Sequence, residues 1–298
     1  MHNQPLVSIL INCYNGEKYV REAIDSVISQ TYANWEIIFW DNQSIDSSAS
    51  IVKSYSDVRI KYYYALKHTL LYEARNYAFA KTSGEFIAFL DVDDLWLPDK
   101  LERQIPLFKD LDVGFGCANY WIEDQVKNKR WLGYQKLISS GSVLDAQLNN
   151  YTVGLLTLIV RRTALPPNRL PFNSQYHLIG DFDLVIRLAA LWKLASVQDP
   201  LAIYRMHGNN ESAKHRKRGN SELEHWYEEH TANVIISSSA NFSKIKMRVL
   251  YYHGLNALLS GERRVAFFYF VKMNWSKFKL RLFVACFLPL GIIEKIKK

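Results

Sequence analysis

Apolar runs and amphipathic segments alternate along the first hundred residues of the chain. Four runs rich in apolar and aromatic residues predict buried strands, at 6–11, 35–40, 58–64 and 86–90. Three segments with apolar side chains at helical spacing predict helices, at 17–31, 45–55 (capped by Ser44) and 73–82. Strands and helices that alternate across short loops predict an α/β fold, in which a mostly parallel sheet is flanked by helices.

The pattern continues with weaker periodicity beyond residue 95. It predicts strands at 113–122, 154–160 and 198–206, and helices at 99–111 (bent at Pro106) and 181–194. Residues 123–150 and 163–178 are polar and mixed in composition. We therefore interpret them as loops that shape the binding site of a second substrate. From Ser221 onward the pattern is helical. We therefore predict an α/β domain and a helical C-terminal region, over 1–215 (halves 1–95 and 96–215) and 216–298.

Composition narrows the class of protein. The 298 residues are 49% hydrophobic, which is enough for a sizeable core, and the net charge is +8. A positive balance suits an anionic partner, either nucleic acid, a membrane surface or a phosphorylated substrate. We find no nucleic-acid-binding motif and therefore expect no nucleic-acid partner. Three widely spaced cysteines and an N-terminus unlike a signal peptide predict a cytoplasmic protein.

The end of the chain combines apolar and basic residues. Residues 282–293 are largely apolar, but this run is shorter than the ~20 residues that cross a bilayer. Lys277, Lys279 and Arg281 precede it, and Trp275 lies nearby. The arrangement predicts that 272–298 lies on an anionic membrane surface. The alternative is a helix that packs on the core or on a second subunit, which leaves a homo-oligomer open.

Polar residues follow three of the predicted strands, at 12–15, 41–44 and 91–94. Ligands of parallel sheets bind at the carboxyl ends of the strands, so these segments are expected to meet in one crevice. The third segment brings three carboxylates within four positions, and unpaired carboxylates are costly to bury. They predict a site for Mg²⁺ or Mn²⁺, with a solvated acidic loop as the alternative. The chain contains neither G-x-G-x-x-G nor a P-loop motif, which disfavours dinucleotide and P-loop sites.

Seven short motifs, in order, resemble those of the family-2 glycosyltransferases, which are inverting enzymes of the GT-A fold. The resemblance covers about residues 5–212. The motifs are VSILINCYN at 7–15, SQTY at 29–32, WDNQSID at 40–46, ARN at 74–76, FLDVDD at 89–94, DFDLVIRL at 181–188 and YRMH at 204–207.

This resemblance implies a nucleotide-diphosphate sugar donor, a divalent metal (Mn²⁺ or Mg²⁺) and transfer to a hydroxyl group with inversion. Asp91 and Asp93 are expected to hold the metal, because a cation there neutralises the charge that grows on the leaving diphosphate. His207 corresponds to a family position that contacts the metal or the diphosphate, and a loop histidine without a ligand is its alternative. Asp94 and Arg205 are secondary candidates at the same site.

The resemblance also implies which residue is the catalytic base. In the family this residue is the Asp of a Glu-Asp pair that opens a helix, and here the pair reads Gly180-Asp181. Asp181 is therefore the expected base, and Asp183 is the second choice. The alternative for Asp181 is a purely structural role in capping its helix.

The nucleotide is expected near the first two strand ends. Asn42 stands where family members commonly have an Asp that accepts a hydrogen bond from uracil, and an amide oxygen can also accept one. Uridine is therefore favoured. Tyr14 is expected to stack on the base, and Arg75 to contact a phosphate or the base edge. The expected nucleotide-sugar contacts are Asn12, Tyr14, Asn15, Asp41, Asn42, Arg75, Asp91 and Val92.

Together these features predict a hexosyl- or N-acetylhexosaminyltransferase of cell-surface polysaccharide or glycolipid synthesis. Its acceptor would be a saccharide or a lipid-linked saccharide, and the enzyme would lie on the inner face of the plasma membrane. One alternative is a catalytically inactive nucleotide-sugar-binding or scaffold module, which the missing Glu at position 180 would suit. A nucleotidyltransferase is disfavoured because no Gly-rich triphosphate loop follows the first strand.

Overall fold

The computed structural model describes residues 4–167, 169–208, 210, 216–289 and 291–293. The chain divides into two compact units. The first comprises Met1–Gln147 and Tyr151–Lys214, and the second comprises Leu148–Asn150 and His215–Lys298.

One sheet of nine strands, counted over the described residues, forms the first unit. The strands are β1 (Val7–Cys13), β2 (Trp35–Asp41), β3 (Ile60–Tyr64), β4 (Phe86–Phe89), β5 (Leu95–Trp96), β6 (Val113–Asp124), β7 (Lys129–Leu132), β8 (Ile159–Arg161) and β9 (Lys193–Met206). Their order is β3-β2-β1-β4-β8-β6-β9-β5, and β7 pairs with β6. The half β3-β2-β1-β4 is entirely parallel, as the alternation of strands and helices predicts. The other half mixes one parallel pair, β6 with β9, with antiparallel pairs.

Both units contain helices. Those of the first unit are α1 (Val20–Ile28), α2 (Ser48–Lys53), α3 (Leu71–Phe79), α4 (Lys100–Gln104), α5 (Leu144–Asn149, whose last two residues belong to the second unit) and α6 (Gly180–Ala189). Those of the second unit are α7 (Arg216–His230), α8 (Val234–Ser237), α9 (Phe242–Leu259), α10 (Arg263–Lys272) and α11 (Lys277–Ala285).

Strands β1 and β2 lie at the centre of the parallel half, and every residue in them is buried. Their nearly continuous apolar sequences are what a strand needs when it is covered on both faces. Helix α1 covers one face with Val20, Ala23, Ile24 and Val27, none of which is exposed. This core fixes the carboxyl ends of β1 and β2, which carry the predicted site.

The predicted helix at 45–55 was too long, and its predicted cap was wrong. Helix α2 begins at Ser48, after Ser47. The Ser44 hydroxyl instead accepts the backbone N–H of Asn15 at 3.0 Å, and the Ser44 N–H donates to Asp41 at 2.7 Å. Ser44 therefore connects the ends of β1 and β2.

Proline and bulge positions explain two further differences. The helix predicted over 99–111 ends at Gln104 and continues as a 3-10 turn over Ile105–Lys109, because Pro106 has no N–H to continue the α-helical pattern. The last strand was predicted from residue 198 but begins at Lys193. It passes through Pro200 at a register shift opposite Asn119, where a proline is tolerated.

The second half of the first unit contains more regular structure than the pattern predicts. The polar stretch 123–150 forms β7 and α5, and the short strand β5 was not predicted. The strand predicted over 154–160 is a 3-10 turn at Leu155–Thr157 followed by β8. Strands β5 and β8 pair with strands distant in sequence, which a local pattern does not reveal, whereas β7 forms a hairpin with the preceding β6.

The second unit is helical in its described part. A buried apolar cluster of this unit joins Leu250, Leu255 and Leu258 of α9 to Leu282 of α11. None of the described helices is both long enough and apolar enough to cross a membrane.

Candidate active site

The three polar strand ends lie side by side, because β1 pairs with β2 on one side and with β4 on the other. Asn15 adopts a left-handed conformation with a φ of 53°. Its side-chain oxygen accepts the N–H of Ile45 at 2.9 Å. Val92 lies against Gly16, where an added Cβ would stand 3.0 Å from the valine side chain. The predicted convergence of 12–15, 41–44 and 91–94 is therefore observed.

The side chains that end β2 are engaged within the protein. The buried Asp41 carboxylate accepts hydrogen bonds from the Ser44 N–H and the Tyr62 hydroxyl, both at 2.7 Å. The Asn42 amide donates to the Thr69 carbonyl at 2.8 Å and accepts the Thr69 N–H at 3.2 Å. Both ends of this amide, which we expected to contact a nucleobase, thus hold the loop before α3.

Two residues of the first strand end are available to a ligand. Asn12 is only 8% exposed, and neither atom of its amide has a hydrogen-bond partner among the described residues. A buried amide without partners costs free energy, so this position favours a bound polar group. Tyr14 is 53% exposed, and its ring centroid lies 4.4 Å from that of His68.

The acidic segment 91–94 is bounded by two buried arginines. Arg75 of α3 forms an ion pair with Asp91 and lies over the rings of Tyr72 and Phe172. Burial disfavours its charge, but the neighbouring Asp91 carboxylate raises the pKa of Arg75, so the guanidinium stays charged.

Arg205 of β9 holds the other end of this segment. Its guanidinium donates to the backbone carbonyl of Asp93 and to Glu22, and its backbone N–H donates to the Asp94 carboxyl at 3.1 Å. Burial raises the pKa of Asp94 well above its usual range, and the neighbouring acids Asp93 and Asp91 add to the shift. Asp94 is therefore a structural carboxyl group, which accepts the Arg205 backbone N–H and whose burial disfavours a negative charge.

Asp93 lies beside His207, with 3.0 Å between the Asp93 Oδ2 and His207 Nε2 atoms. Burial, together with the charge of Asp91, raises the pKa of Asp93. Within the described ranges no group of three or more His, Cys, Asp or Glu side chains is placed to hold a metal ion. The Asp93–His207 pair still suits a divalent cation, because Mg²⁺ commonly takes few protein ligands and completes its shell with substrate phosphates and water.

Asp181 lies in the first turn of α6. Its Oδ1 atom accepts the N–H of Phe182 at 2.8 Å and lies 3.2 Å from the Tyr72 hydroxyl. Burial raises the pKa of Asp181, and this exceeds the opposing effects of the Phe182 N–H, Arg75 and Tyr72. A raised pKa brings a carboxylate closer to the range in which it accepts protons efficiently.

Tyr72 explains why residue 180 is a glycine. A Cβ atom on Gly180 would lie 2.6 Å from the Tyr72 ring, which is closer than carbon atoms approach. The aromatic ring therefore fills the space that a larger residue 180 would need. The sequence analysis did not predict a role for Tyr72. The only sequence feature that pointed to this residue was its position just before the ARN motif at 74–76.

Asp183, the second choice for the base, is engaged elsewhere. It is buried and pairs with Arg187 one turn further along α6, with 2.9 Å between Nε and Oδ2. Its carboxylate therefore has a cation of its own.

Three tyrosines from the second half of the unit lie close enough to Asp181 to be affected by its charge. Burial raises the pKa of Tyr120, Tyr134 and Tyr151, and the negative charge of Asp181 adds to each shift. Tyr120 and Tyr134 meet edge to face at 5.4 Å. The buried Tyr151 hydroxyl has no hydrogen-bond partner in the described part of the chain. These residues give the neighbourhood of Asp181 an aromatic wall with an unsatisfied hydroxyl.

Known proteins with similar sequences and folds are glycosyltransferases. The Escherichia coli protein UDP-Glc:alpha-D-GlcNAc-diphosphoundecaprenol beta-1,3-glucosyltransferase WfgD is 38% identical over 176 residues, which are 58% of this chain and 68% of that protein. The S. aureus TarS fragment solved with UDP-GlcNAc has a TM-score of 0.62 at 14% identity, covering 91% of this chain and 93% of that one.

A third similar protein is the mannosyltransferase PcManGT from Pyrobaculum calidifontis, solved with GDP-Man and Mn²⁺. Its TM-score is 0.61 at 16% identity, and the match covers 96% of this chain and 88% of that one. At such identities the two solved structures show the fold alone, which is the GT-A fold. The model of glycosyl transferase family 2 matches residues 8–176, more than half of the chain. The chain is therefore a member of glycosyl transferase family 2.

Proposed function

We propose that this protein is an inverting glycosyltransferase that moves a hexosyl or N-acetylhexosaminyl group from a UDP-sugar to a hydroxyl acceptor. The observation that carries the proposal is a continuous series of contacts from the acidic segment to the expected base. Asp91 pairs with Arg75, Arg75 lies over the Tyr72 ring, and the Tyr72 hydroxyl lies 3.2 Å from Asp181. The residues expected at the diphosphate and at the acceptor are thus fixed relative to each other.

The proposed reaction is a single displacement. The acceptor hydroxyl oxygen attacks the anomeric carbon, the bond from that carbon to the diphosphate oxygen breaks, and the hydroxyl proton passes to Asp181. Tyr72 and the Phe182 N–H orient the Asp181 carboxylate for this transfer. Attack from the face opposite the diphosphate inverts the configuration at the anomeric carbon.

The leaving diphosphate needs positive charge. We expect Asp93 and His207 to hold a Mn²⁺ or Mg²⁺ ion, which would supply that charge when bound. The Mn²⁺ in the PcManGT complex supports this expectation. Arg75 contributes a permanent charge beside Asp91, since its pKa is raised.

The nucleotide is assigned to the ends of β1 and β2. The unpartnered Asn12 amide and the exposed Tyr14 ring support this placement. UDP as the nucleotide is supported by the UDP-GlcNAc complex of TarS and by the UDP-Glc in the name of WfgD. We expect Asn15, Asp41, Asn42 and Val92 to shape this site, the first three through hydrogen bonds within the protein.

The acceptor is assigned to the tyrosines around Asp181. WfgD is named for a saccharide on diphosphoundecaprenol, and we propose an acceptor of this lipid-linked class in cell-surface polysaccharide synthesis. The aromatic wall formed by Tyr120 and Tyr134 and the unpaired Tyr151 hydroxyl suit a sugar, which presents both apolar faces and hydroxyl groups. Tyr72 offers a steric reason for the missing Glu, so this departure does not by itself favour the alternative of an inactive nucleotide-sugar-binding or scaffold module.

A donor screen tests the proposal. We expect Mn²⁺ together with the correct UDP-sugar to raise the melting temperature, because a ligand that binds only the folded state stabilises it. The same donor should be slowly hydrolysed or transferred. A protein that neither binds nor turns over any nucleotide sugar in the presence of Mn²⁺ or Mg²⁺ would contradict the proposed function.

A lipid-linked acceptor agrees with the surface of the second unit. Residues 263–293 contain six Lys or Arg and no Asp or Glu. Large apolar side chains are exposed on α10 and α11 and beside them, among them Phe267, Phe268, Val271, Trp275, Phe283 and Phe287. We infer that this surface lies on an anionic membrane at the cytoplasmic face, which extends the predicted segment 272–298 to include α10. Residues 290 and 294–298 of that segment lie outside the described residues.

We expect the protein to bind vesicles that contain anionic phosphatidylglycerol and to sediment with them. Replacing Lys272, Lys277 and Arg281 together with Gln should weaken binding roughly a hundredfold, since each cation near the surface contributes about 1 kcal/mol. A matched triple replacement of Lys53, Lys81 and Lys109 in the first unit removes the same charge and should have little effect. Equal losses from both variants would show that only net charge matters, and the inferred surface would be wrong.

A further inference from the structure

The loop between β3 and α3 is fixed to the end of β2 by three consecutive residues. The Asp41 carbonyl accepts the N–H of Ala65 at 2.8 Å. Asn42 exchanges hydrogen bonds with Thr69, and the Gln43 side chain donates to the Leu66 carbonyl at 3.0 Å. Gln43 adopts a left-handed φ of 70° to make this contact. Residues 65–70 therefore have a defined position beside the predicted nucleotide site.

This arrangement fixes the chemistry of His68. Its Nδ1 atom lies 2.8 Å from the backbone carbonyl oxygen of Asn42. A carbonyl oxygen can only accept, so Nδ1 carries a hydrogen, and this tautomer of the imidazole has its lone pair at Nε2. In the described part of the chain, Nε2 has no hydrogen-bond partner. His68 is exposed, and its ring lies 4.4 Å from that of Tyr14.

We propose that His68 is the residue that recognises the nucleobase, and that it selects uracil. The inference rests on the proposed function, because it assigns the base of the donor nucleotide. The His68 Nε2 atom accepts a hydrogen bond from the N3–H of uracil, while Tyr14 packs on a face of the base. The Asn42 amide has the supporting role of holding the loop, since Thr69 occupies both of its ends.

The lone pair at Nε2 discriminates between bases. Uracil presents a donor at N3, whereas cytosine presents an acceptor at the same position and would leave two lone pairs facing each other. Adenine likewise presents an acceptor at N1. Guanine has a donor at N1, so its exclusion depends on the larger size of a purine beside Tyr14. An acceptor that the ligand covers without offering a donor costs binding free energy. This cost sets how strongly the site discriminates against the wrong base.

Calorimetric titration with nucleoside diphosphates in Mn²⁺ tests this role. UDP is compared with N3-methyl-UDP, which keeps the ring and the charge but lacks the N3 hydrogen. We expect the wild-type protein to bind UDP about tenfold more tightly than N3-methyl-UDP, the effect of one hydrogen bond. His68→Phe keeps a flat ring beside Tyr14 but removes the acceptor. It should weaken UDP binding about tenfold and leave N3-methyl-UDP binding nearly unchanged.

The outcomes separate the two proposals. If the wild type binds UDP and His68→Phe retains the full preference over N3-methyl-UDP, the assignment of His68 is wrong while the proposed function stands. If the wild type binds UDP and N3-methyl-UDP equally well, the assignment of His68 is also wrong, and no variant is needed to reach that conclusion. Tighter binding of GDP than of UDP would overturn the selection of uracil. If the wild type binds no nucleoside diphosphate, both proposals fail. Thr69→Val, which keeps the backbone contacts to Asn42, is the matched loop control and should retain the preference for UDP.

Discussion

Replacing Asp181 with Asn is expected to lower the rate of sugar transfer roughly a thousandfold, the usual contribution of a positioned general base. The amide is nearly isosteric and can still accept the Phe182 N–H, so the fold and donor affinity should persist. In the wild type, burial raises the pKa of Asp181, and only the deprotonated carboxylate can accept the acceptor's proton. Activity should therefore fall as the pH drops through this raised pKa. The residual activity of Asp181→Asn should lack that acidic limb in a pH profile of kcat.

Asp183→Asn is the matched control for this prediction. It removes a carboxylate two residues away that is buried and paired with Arg187. Loss of this pair leaves the partly buried Arg187 cation without its carboxylate partner, so we expect a lower melting temperature but an unchanged acidic limb in the active fraction. If Asp183→Asn abolished the limb and Asp181→Asn did not, the roles of the two residues would be reversed.

Replacing Asp93 with Asn is expected to lower metal-dependent turnover by roughly a hundredfold or more. Stabilisation of a leaving group by a metal is worth several kcal/mol, and each ~1.4 kcal/mol is a factor of ten in rate. The variant should also bind Mn²⁺ more weakly, which paramagnetic resonance of the free ion measures directly without substrate.

Asp94→Asn provides the control within the same segment. Burial raises the pKa of Asp94 and so disfavours a negative charge there, and an amide can replace the carboxyl group as acceptor of the Arg205 backbone N–H. We therefore expect activity within about threefold of the wild type, as for most isosteric changes that keep a hydrogen bond. Equal losses from Asp93→Asn and Asp94→Asn would contradict a specific role for Asp93 at the metal.

The predicted positions of the central strands were confirmed because their signal is local. A strand covered on both faces must be apolar along its whole length, and β1 and β2 carry that signature themselves. The polar residues after β1, β2 and β4 then had to converge, since neighbouring parallel strands end at the same edge. The sequence also placed Asp181 in the first turn of a helix, although that helix ends at Ala189 and not at 194.

Details of the site depended on contacts between segments distant in sequence. The sequence left Asn42 as a candidate reader of the base, but the fold brings Thr69 to its amide. Gly180 read as a departure from the family pattern, but the fold places Tyr72, 108 positions earlier, in the space that its side chain would need. His68 gave no signal at all, because its ring becomes a defined acceptor only through the Asn42 carbonyl.

The sequence alone thus determined the α/β layout and the order of the polar strand ends, and it predicted the principal carboxylates of the site. Each of these follows from periodicity, from the cost of burying charge or from short motifs within one segment. Only the tertiary structure decided which polar groups are already satisfied and which remain available to a ligand. A donor or acceptor that is already hydrogen-bonded, or a space that is already occupied, is not available to a ligand. The role of an amide, a glycine or a histidine therefore depends on the partner that the fold brings to it.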